Sequence, residues 1–175
     1  MPRTKKTRPP KSRTDNLVRE VKNLMADDLI STIYRERIRA SRTRRFDLNA
    51  VGKASSIIIM HTLLGIELKI GRCRILCPDL TTAKYLSVFA RLGVQTVAVP
   101  YDITQISRLA EDLDSSFSKM LLLTASLSTD HGERILKRAV NALIKDQRDE
   151  INSIGSGPAV PQFNQNTKQR RPQNS

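Results

Sequence analysis

The segment from Ile66 to Pro100 constrains the fold more than any other, because its apolar residues change period twice and each change is punctuated. Ile66, Leu68 and Ile70 alternate with Glu67 and Lys69, and Cys73, Ile75 and Cys77 alternate with Arg72, Arg74 and Leu76. Period two marks strands, and Gly71-Arg72 between them fits a two-residue hairpin turn. Pro78 then stops the second strand, Asp79 is a helix cap, and an apolar helix runs from Leu80 to about Leu92, where Gly93 closes it. Val94 to Val99 is a further strand, ended by Pro100. Strand, helix and strand joined by short connections predict a βαβ unit with a parallel pair and a right-handed crossover.

The flanking segments read as helices. Leu17, Val21, Leu24, Met25, Leu29 and Ile33 follow a cap at Thr14 or Asp15 with a spacing close to 3.6, which predicts a helix continuing through Tyr34 and Ile38 into a run of arginines. In such a helix Arg35, Arg39 and Arg42 share a face. Phe46 and Asp47 fit a staple and cap for a second helix ending at Gly65; Ile57, Ile58 and Ile59 also read as a buried strand, but length and the cap favour the helix. Asp102 caps a helix carrying Ile103, Ile106, Leu109, Ala110, Leu113, Phe117 and Met120, and Asp130 with Glu133 opens the last one. The expected fold class is α/β: a small mixed sheet containing one βαβ unit, packed by about five helices, in a single domain over residues 14–154.

Charge is concentrated outside that core pattern. The net charge is +13; residues 1–13 carry Arg3, Lys5, Lys6, Arg8, Lys11 and Arg13 with no acid, and residues 35–45 carry Arg35, Arg37, Arg39, Arg42, Arg44 and Arg45 against Glu36. Lys168, Arg170 and Arg171 add a third cluster, so the rest of the chain sums to −1. General solubility scatters an excess of charge, whereas a polyanion-binding surface gathers it. Residues 1–13 hold three prolines and almost no apolar side chains, and residues 155–175 begin Gly-Ser-Gly-Pro and continue rich in Gln and Asn, so both tails are expected to be disordered.

The candidate chemistry is sparse. Cys73 and Cys77 form a lone C-x3-C, and four strand residues hold them about 13 Å apart, too far for a disulfide or a shared metal. They read as core thiols, which fits a reducing compartment. His61 and His131 have no nucleophile or carboxylate at triad spacing, and Gly52-Lys53 lacks the glycine and the Ser/Thr of a phosphate loop. Asp79 and Asp102 each follow a strand of the expected parallel pair, where open α/β sheets place ligands, so a Mg²⁺ site is one reading; helix capping explains both without it. No cofactor, metal or enzymatic activity is expected. The longest apolar stretch, Ile57 to Ile66, contains His61 and Thr62 and is too short to span a bilayer. The N-terminus has no apolar signal region, so the expected location is cytoplasmic, or nucleoid-associated or nuclear if the target is DNA.

Arginine forks match phosphate oxygens and remain charged at any physiological pH. The expected function is therefore non-catalytic binding of RNA or DNA through phosphates, with residues 1–13 and 35–45 as contacts. The alternative is an assembly protein docking on an acidic protein partner. Only Tyr34 stands near the basic run in sequence, and with 4% aromatics a base-stacking platform is not expected. Asn49-Ala50-Val51-Gly52-Lys53-Ala54, followed later by the βαβ unit, resembles the N-x-x-x-K helix start of the kink-turn-binding ribosomal proteins. The chain lacks that family's glycine two positions before Asn49 and carries an extra hairpin, so the resemblance stops at this motif.

Overall fold

A computed structural model describes residues 13–48 and 56–157. It is a mixed α/β fold with four helices of three turns or more: α1 (Arg13–Met25), α3 (Leu80–Leu92), α4 (Ile103–Leu127) and α5 (Glu133–Ile154). A single α turn, α2 (Ile30–Ile33), precedes a π turn at Tyr34–Ile38. Five strands form two antiparallel sheets: β1 (Thr43–Asp47) pairs with β5 (Thr96–Pro100), and β2 (Ile57–Thr62), β3 (Gly65–Ile70) and β4 (Cys73–Cys77) form a meander.

The order β4-α3-β5 is the expected strand, helix and strand, but the two strands are not partners. β4 pairs antiparallel with β3, and β5 pairs antiparallel with β1. The edge of β5 that a parallel neighbour would need is closed by side chains. The Ala98 N–H donates to the Tyr34 hydroxyl at 3.0 Å, and the Tyr85 hydroxyl donates to the Ala98 carbonyl at 2.6 Å. Both rings are fully buried and pack on Phe89, with centroids 5.6 Å and 5.1 Å away. Two phenols thus stand where a strand's backbone would, and the expected βαβ unit is replaced by two separate sheets.

The expected helix from Asp47 to Gly65 is also corrected. Residues 43–47 and 57–62 are strands, and residues 49–55 lie outside the described residues. Three consecutive isoleucines crowd a helix and suit a pleated strand. Their register puts Ile57 opposite Ile70 and Ile59 opposite Leu68, with α3 packed on the meander. The Gly71-Arg72 hairpin forms as expected: Ile70 faces Cys73 across it, and Gly71 takes φ +57°, the left-handed region a primed turn requires.

The first helix stops earlier than its apolar pattern. Ala26 adopts φ +43° and Leu29 is extended at ψ 137°, with a short 3₁₀ turn at Ala26–Asp28 between α1 and α2. Contacts from other elements hold this break. Ser116 of α4 donates to the Asp28 carbonyl and Lys119 pairs with the Asp28 carboxylate. The Ser31 N–H near the start of α2, where Leu29 offers no side-chain cap, donates to the buried Gln147 Oε1 of α5 at 3.2 Å. The core beneath runs through Val21, Met25, Ile30, Tyr34, Leu86, Phe89, Leu109, Leu113, Leu143 and Ile151.

Candidate nucleic-acid interface

The arginine run does not continue a helix. Arg35 and Arg37 lie on the π turn, Arg39 and Arg42 in the connection that follows, and Arg44 and Arg45 on β1. No single helix face therefore carries Arg35, Arg39 and Arg42. Tyr34 and Ile38 anchor the π turn in the core, and antiparallel pairing with β5 fixes β1. The six guanidinium groups are consequently held in different environments.

Three of them are engaged by the protein itself. Arg37 pairs with Asp112 of α4 at 2.7 Å, and Arg45 pairs with Asp47 on its own strand at 3.0 Å. Arg39 is half-buried and donates to Thr43 Oγ1 at 3.2 Å. Arg44, on the Phe46 side of β1, has its Nε enclosed without a hydrogen-bond partner. Arg35 and Arg42 are exposed, and no carboxylate among the described residues pairs with either. Arg13, the first residue of α1, is exposed as well. Arg3, Lys5, Lys6, Arg8, Lys11, Lys168, Arg170, Arg171 and the Asn49–Ala54 motif lie outside the described residues.

The fold adds groups that the basic run did not reveal. The Gln105 side chain donates to the Arg37 carbonyl at 3.4 Å, joining the π turn to the first turns of α4. Arg37, Asp102, Thr104, Gln105, Arg108 and Leu109 line a recess of about 320 Å³ there. Beside it the Arg42 guanidinium lies 5.2 Å from the centre of the Tyr101 ring, a cation–π contact. Tyr101 is 51% exposed, whereas Tyr34 is completely buried. The exposed ring near the arginines is thus Tyr101, more than fifty residues further along the chain. One signal for this was present: Tyr34 falls on the same apolar spacing as Ile30 and Ile38, while Tyr101 sits between a strand-ending proline and a helix cap.

The other candidate residues have structural explanations. Asp79 accepts the Thr82 N–H at 2.7 Å and the Thr82 hydroxyl at 3.0 Å, and Asp102 accepts the Thr104 N–H at 2.8 Å. Both aspartates therefore cap helices, and without a parallel pair there is no shared sheet edge to bring them together. Cys73 and Cys77 are thiols on β4. Burial raises the Cys77 pKa, with a hydrogen bond from the Leu68 backbone opposing this and the Asp79 charge adding to it. His61 is exposed on β2, and His131 lies in the turn before α5. Among the described residues no three His, Cys, Asp or Glu side chains gather to hold a metal, and no helix is long and apolar enough to cross a membrane.

Comparison with family models, with curated proteins and with solved structures finds no match.

Proposed function

We propose that this chain is a non-catalytic nucleic-acid-binding protein, an accessory factor that holds RNA or DNA through its phosphates. The observation that carries the reading is the surface on which Arg42, Arg37 and Arg108 meet the first turns of α4 and the exposed Tyr101. Arg35 and Arg42 are exposed without a carboxylate partner and can fork onto phosphate oxygens without breaking an ion pair. The basic residues 1–13 precede this surface in the chain and add to its charge. The compartment that fits is a reducing one, cytoplasmic or wherever the nucleic acid resides.

Binding of labelled oligonucleotides at a series of salt concentrations tests this. Replacing Arg35, Arg42 and Arg108 together by Gln keeps long side chains of good helix propensity and removes three charges. The slope of log K against log salt should fall by about two to three units. Lys137, Arg138 and Lys145 on α5 are the matched control, since Lys137 is already paired with Glu133 at 2.6 Å. Equal losses in both triple variants would reduce the effect to net charge. If neither variant affects oligonucleotide binding while an acidic protein partner dissociates from the first, the arginines serve assembly and the nucleic-acid reading is wrong.

A further inference from the structure

We infer that Tyr101 and Arg42 form a base-stacking position, so that the preferred ligand is a single strand with unpaired bases rather than a duplex; this rests on the nucleic-acid reading above. The ring of Tyr101 is half in solvent, yet it is fixed at both ends. Its backbone N–H donates to the Arg42 carbonyl at 3.4 Å, and the next residue, Asp102, is locked as the cap of α4. The Arg42 guanidinium lies against the ring at 5.2 Å and is itself exposed. An aromatic ring with a planar cation on it offers a π surface to a nucleobase and a positive charge to the phosphate beside it. The adjoining recess adds Arg108 and Thr104 as donors toward the backbone one step away, beside Arg37, which is paired with Asp112, and Asp102, whose carboxylate is engaged in capping α4. At about 320 Å³ it is at the small end of ligand-pocket sizes, suited to one sugar–phosphate unit.

The same geometry argues against duplex reading. A major groove admits a helix or a two-stranded ribbon. The arginine run offers neither: its helical part ends at Ile38, and the partner of β1 in the ribbon, β5, has Val97, Ala98, Val99 and Pro100 buried. In a duplex the base faces are covered by their neighbours, so an exposed ring on a loop reaches only a base that is already unstacked.

The sequence contains no tryptophan, so Tyr101→Trp introduces a single indole, which can be excited at wavelengths where the two remaining tyrosines do not absorb. The probes are an oligothymidylate of about twelve nucleotides, within the usual site size of single-strand binders, a hairpin duplex of equal phosphate count, and an abasic oligomer of the same length. Anisotropy of the labelled oligomer reports binding independently of the protein's emission. The oligothymidylate should quench the emission of Tyr101→Trp, and the abasic oligomer should not. Tyr101→Leu should weaken oligothymidylate binding about tenfold with an unchanged salt slope, Tyr101→Phe should bind as the parent does, and the abasic oligomer should not distinguish them. Thermal unfolding of each variant confirms that the half-exposed position tolerates the change. Unchanged emission on bound oligothymidylate, or an equal loss by Tyr101→Leu on all three oligomers, overturns the stacking position while leaving phosphate binding intact. Absence of binding to every oligomer overturns both.

Discussion

Ala98 shows how single atoms decide this fold. Its N–H and C=O are both satisfied by phenols, and Tyr34 uses its hydroxyl twice, accepting from Ala98 and donating to the Gly155 carbonyl at 3.0 Å. Burial raises the pKa of both tyrosines; at Tyr34 the Ala98 hydrogen bond and Arg39 work against the shift, and at Tyr85 the neighbouring Tyr34 adds to it. Phenols in the unfolded chain ionise near pH 10, whereas the folded ones resist ionisation. Their contribution to stability is thus complete below about pH 10 and is lost as pH rises toward the folded values. Urea midpoints measured at pH 8 and pH 11 should show this fall. Tyr85→Phe should lose about 1–3 kcal/mol at pH 8, from the orphaned Ala98 carbonyl, and should lose less on alkalinisation than the parent. Cys77 belongs at the same scale. Its raised pKa and burial predict that it resists alkylation by iodoacetamide at pH 8 until urea unfolds the chain.

The secondary-structure elements are set by their ends. Asp79→Asn keeps an acceptor for the Thr82 N–H and should change stability little, while Asp79→Ala should lose about 1 kcal/mol in denaturant unfolding. Gly93 ends α3 in a Schellman arrangement: its N–H bonds to the Ala90 carbonyl and that of Val94 to the Phe89 carbonyl, with φ +76° at the glycine. Gly93→Ala should cost about 1–2 kcal/mol, because a Cβ disfavours that conformation. These ends were legible in the sequence because caps and stops are local: α3, α4, their aspartates and the Gly71 turn fall where the punctuation put them, while β5 starts at Thr96 rather than Val94 and includes Pro100. The helix expected over 47–65 failed because one cap signal outweighed three β-branched residues that find partners only across a sheet. The continuous first helix failed for a related reason. Its apolar pattern passes through Ala26–Asp28, and the groups that hold the break, Ser116, Lys119 and Gln147, lie far along the chain. For the candidate interface the arginines were legible as a charge cluster. Their separation into paired and unpaired groups, and the arrival of Tyr101 and Arg108 beside them, depend on tertiary contacts that no local pattern encodes.

At the scale of the whole molecule, the charge is divided between a fixed surface and the terminal segments. Deleting residues 1–12 removes five cations and leaves Arg13 and the rest of α1 in place, so thermal unfolding should be nearly unchanged. Oligonucleotide affinity should fall and the salt slope should flatten; an unchanged slope would show that this segment does not touch phosphate. The described fold is also closed by its C-terminal elements. α1 packs on α5, Ser31 relies on Gln147, and Tyr34 reaches Gly155, with Gly157 lying against the Arg39 guanidinium. α1, α2 and the π turn therefore lack part of their packing until α5 has been synthesised. A nascent chain arrested before residue 147 should remain protease-sensitive over residues 13–38, and one extended past residue 157 should not. This gives assembly an order in time: the π turn that carries Arg35 and Arg37 is made early, yet gains its packing against α5 only after some hundred further residues have been added.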